Sequence, residues 1–519
     1  MLLKLKYFCF LFLYAISFSY GQNPGEFDPT YSTFGGYTFY SAGTTSLNYL
    51  GIKILPQDNG DIYSIGSASN FLSIVKYQND GELDESFGDD GEVRITDGGV
   101  FAALDAVQVG DKITILGTSF SAGDDRVLLV RINTDGSLDP SFGNSGIITH
   151  DLTNNSDRAS DMEILENGKI IVASQSKLNN EYDSVVARFN TDGSLDTSFG
   201  DSGVVIASIP PYRAISLEVE IVAGDKILVG GNIDEDLDFR IFVIQYNADG
   251  SLDTNFGVDG FIIIDYYPDR GVVFKAMEIR NGNILISGYT NLVSGSAAGD
   301  LYLTRYFENG TLDLSFGVDG IVIEGGPDDL WNPGIRSLIY QPNGKFFVGG
   351  GIDANLTVWR YNENGTRDTD FADDGIAFLP INKVYIGPND MRFDSTGKLL
   401  LCGTASLAVF PNSVMMTFRV ISGLSLGVLD FNLIGDSVVV YPNPIEDTTN
   451  LEYDLQEDRR LSLALYDVSG NLIRYLFQNE PRTAGSHTET LEIGDMASGN
   501  YLLQLSDATS SYGIKILKK

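Results

Sequence analysis

Histidine, cysteine and tryptophan are scarce in this 519-residue sequence, with two residues of each. The histidines are His150 and His487. Cys9 lies in an N-terminal apolar run, which leaves Cys402 as the cysteine of the remaining chain. These residues cannot supply a Cys/His zinc site or an internal disulfide outside the apolar run. They also disfavour a Ser-His-Asp arrangement, and no Gly-x-Ser-x-Gly, P-loop or HExxH motif is present. We therefore expect a protein that is not an enzyme.

Basic residues are also few compared with acidic ones. Lysine and arginine total 34 against 70 acidic residues, which gives a formal net charge of −36. Such a surface repels nucleic-acid phosphates and anionic membranes. The composition favours a solvated acidic surface with no cofactor. Bound calcium stays open as an alternative.

The N-terminus has the pattern of an export signal. Lys4 and Lys6 precede an apolar run from Tyr7 to Phe18, and Ser19 and Gly21 follow at the −3 and −1 positions of a cleavage site. We interpret residues 1–21 as a signal peptide for Sec-dependent export to the periplasm, with an uncleaved anchor as the alternative. No later run reaches transmembrane length, so we expect no transmembrane segment in the mature chain.

An eleven-residue string, GSLDTSFGDSG from Gly193, recurs every 55 to 60 residues. Its first glycines are Gly25, Gly81, Gly136, Gly193, Gly250, Gly310 and Gly365. Three residues after each glycine stands an aspartate: Asp28, Asp84, Asp139, Asp196, Asp253, Asp313 and Asp368. An aromatic residue follows in each copy: Tyr31, Phe87, Phe142, Phe199, Phe256, Phe316 and Phe371. A repeat of this length determines the fold.

Each repeat also contains a tight hairpin signal, such as Asn167-Gly168 or Gly224-Asp225, before a strand-like run. One unit reads as four strands at 203–208, 214–222, 226–231 and 239–247. Seven four-stranded units predict an all-β fold, a seven-bladed β-propeller over residues 22–422, because radial stacking buries the faces of each sheet. A β-solenoid and two separate sandwiches are the alternatives.

The repeated string suits a turn between blades, in which aspartate caps backbone amides and the apolar residues fill the gap. A calcium or ligand loop is the alternative. The string resembles the delta-60 β-propeller repeat family over residues 25–420. That resemblance implies a propeller and no particular activity.

The remaining loops vary, and strand alternation places them together on the opposite face from the repeated turns. Exposed aromatic and arginine side chains on loops are typical of binding sites. We expect this variable face to contact a polysaccharide or protein through Tyr212, Arg213, Tyr266, Tyr267, Arg270, Trp331 and Tyr385. The alternative is that these side chains only pack on neighbouring blades. Asp234, Asp236 and Asp238 resemble the start of a calcium loop, but Phe239 stands where such a loop needs glycine.

Residues 423–437 read as a linker, and residues 438–519 as a small C-terminal β-sandwich of six or seven strands. The ordered motif residues are Tyr441, Pro442, Asn443, Pro444, Asp467, Gly470, Gly499, Tyr501 and Lys515. This module resembles the type A C-terminal sorting domain of the type IX secretion system. The resemblance implies that the secretion machinery is its partner and that the chain is released or attached to the outer-membrane surface. An ordinary adhesion-type sandwich is the alternative.

The sequence thus predicts a secreted or surface-attached, non-catalytic propeller that acts as a binding or scaffold module. A secreted carbohydrate-active hydrolase or lyase is the runner-up, because paired carboxylates can cleave glycosides. A calcium-stabilised structural protein is the third possibility.

Overall fold

The computed structural model describes residues 23–41, 47–96, 100–120, 124–178, 181–207, 213–235, 238–265, 270–292, 299–325, 334–352, 355–379, 384–406, 413–423, 439–455, 458–466, 472–494, 496–506 and 511–519. The predicted signal peptide and nearly all of the predicted linker lie outside these residues. Within the described residues the regular structure consists of 35 β-strands.

The first 28 strands form seven four-stranded antiparallel sheets, which we number as blades 1 to 7. Blade 1 contains β2 (Tyr49–Pro56), β3 (Ile62–Ala68), β4 (Phe71–Tyr77) and β5 (Glu92–Ile95). Blade 2 contains β6 (Val100–Val109), β7 (Lys112–Phe120), β8 (Arg126–Asn133) and β9 (Ile147–His150). Blade 3 contains β10 (Asp157–Ile164), β11 (Ile170–Leu178), β12 (Glu181–Phe189) and β13 (Val204–Ala207). Blade 4 contains β14 (Arg213–Val222), β15 (Lys226–Glu235), β16 (Asp238–Tyr246) and β17 (Phe261–Ile264).

Blades 5 to 7 repeat this pattern. Blade 5 contains β18 (Arg270–Arg280), β19 (Asn283–Leu292), β20 (Leu301–Phe307) and β21 (Ile321–Glu324). Blade 6 contains β22 (Ser337–Tyr340), β23 (Phe346–Ile352), β24 (Asn355–Tyr361) and β25 (Ile376–Leu379). Blade 7 contains β26 (Val384–Phe393), β27 (Leu399–Ser406), β28 (Ser413–Val420) and, as its fourth strand, β1 (Tyr37–Tyr40).

The seven sheets form a closed ring. The first strand of each blade contacts the first strand of the next, from β2 and β6 around to β22 and β26, and β26 in turn contacts β2. Apolar clusters fill the gaps between blades; one of them joins Ile65 and Leu72 of blade 1 to Phe101 and Ile115 of blade 2. The predicted all-β propeller is therefore confirmed.

The predicted start of each unit was wrong by one strand. The run at 203–208 was expected to open a unit, but β13 pairs with β12 and is the outermost strand of the preceding blade. The repeated string therefore connects the third and fourth strands of one blade. A sequence period gives the length of a repeat and does not show where the hydrogen-bonded sheet begins.

Besides joining two strands of its own blade, the repeated string holds an arginine that contacts the next blade. In blade 3, Asp196 caps the backbone N–H of Ser198 and accepts hydrogen bonds from Lys169 Nζ at 2.7 Å and Arg188 Nε at 2.6 Å. The same guanidinium donates to the carbonyl of Ala248 in blade 4 and stacks over the Phe199 ring. Arg131, Arg305, Arg360 and Arg419 make the equivalent contacts in four other blades.

Glycine is required where the turn of one blade meets the aromatic ring of the previous one. Gly193 has φ +85, and a Cβ added there would lie 2.8 Å from Cζ of Phe142. Any other residue would clash with the ring and would also be strained at this φ. The uniformity of the string is thus explained by packing between blades.

The N-terminal segment closes the ring. β1 pairs with β28 from Tyr37 opposite Phe418 to Tyr40 opposite Met415. Before it, the fully buried Asp28 accepts hydrogen bonds from Lys398 Nζ at 2.6 Å and Arg419 Nε at 2.7 Å. Burial alone would raise the pKa of Asp28, but the hydrogen bonds from Lys398 and Thr30 lower it to about 2.

The C-terminal module is a two-sheet β-sandwich, as predicted. One sheet contains β29 (Val439–Tyr441), β30 (Thr448–Leu455) and β33 (Gly485–Glu492). The other, in the order β32-β31-β34-β35, contains β31 (Arg459–Tyr466), β32 (Leu472–Arg482), β34 (Gly499–Ser506) and β35 (Ser511–Lys518). A core that includes Leu451, Tyr453, Leu463 and Leu503 lies between the two sheets.

We expect Asp28→Asn to weaken ring closure. The substitution removes the negative charge between Lys398 and Arg419 and leaves two poorly compensated cations, which costs about 3 kcal/mol for a buried pair. The midpoint of urea unfolding, followed by circular dichroism, should fall accordingly. Asp58→Asn, at an exposed turn, is the matched control and should leave the midpoint unchanged; equal midpoints for the two variants would contradict the proposed role of Asp28.

Candidate functional site

The predicted variable face is only partly described. Tyr212, Tyr266, Tyr267 and Trp331 lie outside the described residues, as does Asp236. The backbones of Arg213, Arg270 and Tyr385 lie at the start of β14, β18 and β26, the first strands of blades 4, 5 and 7. These three backbone positions share one end of the ring. Binding by this face remains a prediction. At Asp234 and Asp238 the prediction is a solvated acidic loop, with calcium as the alternative.

The motif residues of the sorting module bring its first loop against its last strand. The amide oxygen of Asn443 accepts the N–H of Leu517 at 2.9 Å, and the carbonyl of Pro442 accepts the Thr449 hydroxyl at 2.8 Å. Ile445 then forms a parallel bridge with Lys518. Tyr441 is 75% exposed, and the Tyr501 hydroxyl donates to the Ala497 carbonyl. Gly499 begins β34 and the Lys515 backbone lies in β35, whereas Asp467 and Gly470 lie outside the described residues.

The scarce residues lie in structural positions. His150 Nε2 is 2.8 Å from the carbonyl oxygen of Gly193, between blades 2 and 3, and burial lowers the pKa of its imidazole. His487 Nε2 is 2.7 Å from the carbonyl oxygen of Thr483 in the sorting module. Cys402 is buried in β27, where burial raises the pKa of its thiol and keeps it protonated.

The first strands of the seven blades surround an axial channel with a cavity of about 270 Å³. Alternate residues of a strand point to the same side, so each strand presents a short row of side chains to the axis. Acidic residues dominate this lining: Asp105, Asp161, Glu163, Glu218, Glu220, Glu278 and Asp390. Basic residues also line the cavity: Lys53, Lys275, Arg336 and Arg392.

A β-bulge recurs in the strands around the channel and orients the carboxylates. The register of β10 shifts between Ala159 and Asp161, and β14 and β26 shift at equivalent points, before Glu218 and Asp390. A bulge bends the strand and turns the residue after it toward a new direction.

The carboxylate after the bulge accepts a backbone N–H from the first strand of the next blade. Asp161 Oδ2 accepts from Val219 at 2.8 Å, Glu218 accepts from Met277, and Asp390 Oδ2 accepts from Ile54 at 3.0 Å across the ring closure. These hydrogen bonds link blades 3, 4 and 5, and blades 7 and 1, at the axis.

One half of the channel, formed by blades 7, 1 and 2, is charge-balanced. Lys53 Nζ lies 2.7 Å from Asp105 Oδ1 and 3.8 Å from Asp390 Oδ1, and Arg392 Nη2 lies 3.5 Å from the same Asp390 oxygen. Burial alone would lower the pKa of Lys53, but Asp105 and Asp390 raise it, so the ammonium stays charged. Asp390 raises the pKa of Arg392 in the same way.

The other half, formed by blades 3, 4 and 5, is an acidic cluster of Asp161, Glu163, Glu218, Glu220 and Glu278. In the described part of the chain none of these five carboxyls has a lysine or arginine nitrogen within 4 Å. Burial and the neighbouring carboxylates raise the pKa of each one, to about 7 for Glu163 and Glu278. A pKa near 7, as for Glu163 and Glu278, is unusual for a carboxyl.

Sequence reasoning did not identify this site. The strands that supply it were predicted, as in AISLEVEIV, but the acidic positions were taken as part of a solvated surface. The available signal was the alternation of acidic and apolar residues in the first strand of blades 3 and 4, combined with the inward position of that strand in a propeller. Within the described residues no group of three His, Cys, Asp or Glu side chains is placed to hold a metal ion.

The two carboxylate sets give opposite pH dependences. The pKa values of Asp28 and Asp139 are lowered to about 2, so the stability they contribute is full above about pH 4 and is lost as the pH falls through 2. The pKa values of Glu163 and Glu278 are raised to about 7, so the folded state holds more protons and stability falls from about pH 4.5 to above pH 7. The thermal midpoint should therefore be highest near pH 4 to 5.

Glu163→Gln with Glu278→Gln should flatten the decline on the alkaline side by a few degrees, because neither amide titrates. The groups that face these two carboxyls are Lys53, Asp105, Glu220, Asp390 and Arg392. Glu166→Gln, at an exposed turn, controls for net charge. Differential scanning fluorimetry from pH 3 to 9 makes the measurement, and a wild-type midpoint that rises from pH 5 to 8 would refute this account.

Comparison with known families agrees with the two-part architecture. The family model "Domain of unknown function (DUF5122) beta-propeller" matches residues 111–142, 165–199, 225–256, 280–316 and 341–371. The model "Secretion system C-terminal sorting domain" matches residues 439–519. No curated protein matches the chain. In the described part of the chain there is no helix long and apolar enough to cross a membrane.

Several solved structures are similar at low identity. The polysaccharide lyase Uly1 is 10% identical with a TM-score of 0.46, over 78% of this chain and 94% of that one. Prolyl oligopeptidase B from Galerina marginata is 11% identical with a TM-score of 0.40, over 82% of this chain and 55% of that one. An α-L-arabinanase from Penicillium chrysogenum is 12% identical with a TM-score of 0.38, over 62% of this chain and 94% of that one. None of these likenesses transfers an activity to this chain.

The repeats resembling the delta-60 family are thus the DUF5122 kind of repeat, and the resemblance of the last module to a sorting domain is confirmed. The chain carries DUF5122 β-propeller repeats followed by a type IX C-terminal sorting domain, and it is secreted or attached to the cell surface.

Proposed function

We propose that the chain is a non-catalytic binding or scaffold module, brought to the periplasm by the Sec route and across the outer membrane by the type IX machinery. The observation that carries this proposal is the axial channel, a charged cavity of about 270 Å³ enclosed by seven sheets and followed in sequence by a sorting domain. Large cavities with a few convergent polar groups are the usual binding sites of proteins. The variable face, with Arg213, Arg270 and Tyr385 at one end of the ring, is a second contact surface for a polysaccharide or protein.

The sorting module fits a role in recognition. β35 is the last strand of the four-stranded sheet, so one of its edges has no neighbouring strand of that sheet. Asn443 and Ile445 hold the far end of this strand at Leu517 and Lys518. An ordered edge strand can pair with a partner chain, because its backbone groups are available for hydrogen bonds.

Deletion of residues 439–519 should leave the propeller in the periplasm, because the chain can no longer cross the outer membrane. Immunoblots of periplasm, outer membrane and medium make the measurement, with the full chain as the reference. Asn443→Ala removes the acceptor for Leu517 N–H and should reduce export, whereas Asn450→Ala, on β30, is the matched control. Normal export of the deleted chain would refute the sorting role.

A second candidate is a carbohydrate-active hydrolase or lyase, and one observation favours it. Glycoside hydrolysis needs a protonated carboxyl and an ionised carboxylate in one site. The channel contains Glu163 and Glu278, whose pKa is raised to about 7, together with Asp390, which lies 3.5 Å from Arg392 Nη2 and accepts the Ile54 N–H.

A panel of neutral and acidic polysaccharides separates the two functions. The binding module should retain a glycan without releasing reducing ends or unsaturated products, and Trp331→Ala with Tyr267→Ala should abolish retention by removing stacking surfaces. Trp359→Phe, at a fully buried position, serves as the control for general loss of structure. Product release that Glu163→Gln or Glu278→Gln abolishes would instead establish the enzyme.

A further inference from the structure

The charges around the axial channel are unevenly divided. Blades 7, 1 and 2 contribute Asp105 and Asp390, and the channel itself supplies their counter-ions, Lys53 and Arg392. Blades 3, 4 and 5 contribute the five carboxyls of the acidic cluster. The other two cations of the lining contact different groups: Lys275 Nζ lies 5.4 Å from the centre of the Tyr289 ring, and Arg336 Nη1 lies 3.4 Å from Asn389 Oδ1.

Lys53 shows what kind of group the channel can bind. Its primary ammonium lies between two carboxylates from different blades, 2.7 Å from one and 3.8 Å from the other. Asp161 and Glu218 occupy the positions on β10 and β14 that follow the bulge, as Asp105 and Asp390 do on β6 and β26. The acidic cluster therefore presents carboxylates at the same bulge positions on neighbouring blades, and its one lysine, Lys275 of β18, contacts the Tyr289 ring instead.

A buried, unsatisfied oxygen also points to a ligand. Asp105 is 2% exposed, and its Oδ1 pairs with Lys53, but its Oδ2 has no hydrogen-bond partner in the structure. A buried carboxylate oxygen without a donor is costly, and such atoms in native proteins usually have a partner. Asp105 belongs to the blade next to Asp161, and both residues line the axial channel.

The spread of the carboxyls indicates the shape of the ligand. They project from the four neighbouring strands β6, β10, β14 and β18, and no three in the described residues are placed to hold a single metal ion. Separated carboxyls are matched by a ligand that carries several separated N–H donors. A linear chain of ammonium groups meets this requirement, because each charged nitrogen can lie between two carboxylates as Lys53 Nζ does.

We propose that the acidic cluster of the axial channel binds a linear aliphatic polyamine, whose ammonium groups lie between carboxylates of neighbouring blades and donate to Asp105 Oδ2. This inference rests on the proposed binding function and specifies its ligand class. The amine nitrogens stay protonated in the complex, while carboxyls of the cluster release their protons to solvent. Binding therefore releases protons to solvent and strengthens from pH 6 to pH 8.

Proton release on binding is expected from the carboxyls that face one another across the channel. Glu163 and Glu278 have pKa values raised to about 7 by burial and by nearby Asp105 and Glu163 respectively, against the opposing effects of Lys53 and Arg392. Burial and Glu163 raise the pKa of Glu220, and burial and Asp161 raise that of Glu218. A bound cation stabilises the ionised form of each, so part of the population must deprotonate.

Isothermal titration calorimetry with spermidine tests the proposal on the full chain without its signal peptide. Titrations at pH 7 in phosphate and in Tris, which differ in ionisation enthalpy, give the number of protons released. We expect one spermidine per chain, release of at least a fraction of one proton, and affinity at least tenfold higher at pH 8 than at pH 6. This readout uses the wild-type chain and does not depend on any variant folding.

Glu218→Gln with Glu220→Gln should weaken spermidine binding at least tenfold, since both charges are lost while the new amide oxygen at position 218 can still accept the Met277 N–H. The matched control is Glu85→Gln with Glu166→Gln, which removes the same charge from exposed turns and should leave affinity unchanged. Calcium chloride is titrated in parallel.

Three results would overturn the proposal: no heat from spermidine at pH 8, calcium binding in place of spermidine, or equal weakening in the control pair. Each leaves the export and polysaccharide experiments unaffected, so failure here is distinguishable from failure of the binding-module proposal.

Discussion

The structure depends on closing a ring of sheets, and a charged bridge between blades recurs at five of the seven junctions. An aspartate of the repeated turn holds an arginine of its own blade, and that arginine reaches a backbone carbonyl of the next blade. Neither residue could be buried alone, because an unpaired charge in an apolar gap is strongly unfavourable. Together they fix the direction in which one blade meets the next.

Two junctions depart from this pattern. Blade 1 has Lys76 in place of the arginine, and the Tyr63 hydroxyl donates to the Thr134 carbonyl of blade 2. Blade 4 has Gln245 where its neighbours have Arg188 and Arg305, and the Gln245 amide nitrogen is buried without a partner. A cavity of about 400 Å³ lies between blades 4 and 5, lined in part by Leu228, which pairs with Gln245 across the sheet. The aspartate–arginine bridge is thus missing beside the acidic cluster, and Glu220 lines both this cavity and the axial channel.

The fold was predictable because its signals are repeated. A period near 56 residues, the Asn-Gly and Gly-Asp turns and the alternation within strands all indicate stacked four-stranded sheets, and Asp196 and Phe199 occupy the turn role assigned to them. The start of each blade was not predictable, since β13 looks the same in sequence whether it opens one sheet or ends another. Only the hydrogen-bond register distinguishes these cases.

The site was less predictable than the fold, for a physical reason. Glu218 and Glu220 alternate with apolar residues as any half-exposed strand would, and their special environment arises when seven strands face one axis. Burial and mutual repulsion, which raise the pKa of these groups, are properties of the assembled ring and of no single blade. Loop residues such as Trp331, by contrast, can be chosen as binding candidates from the sequence by their side-chain type alone.

The pairing of β1 with β28 joins segments that are more than 370 residues apart in the chain. β1 is synthesised before the other strands of the propeller, but it can pair only after β28 has been made. Until then the growing propeller is an open arc with an unpaired edge at each end. Both ends of the propeller sequence meet at this pairing, which we call the seam. Its place in the ring therefore depends on the order of the blades along the chain. A circular permutation that joins the original ends of the propeller and opens the chain between two other blades would move the seam without altering the ring.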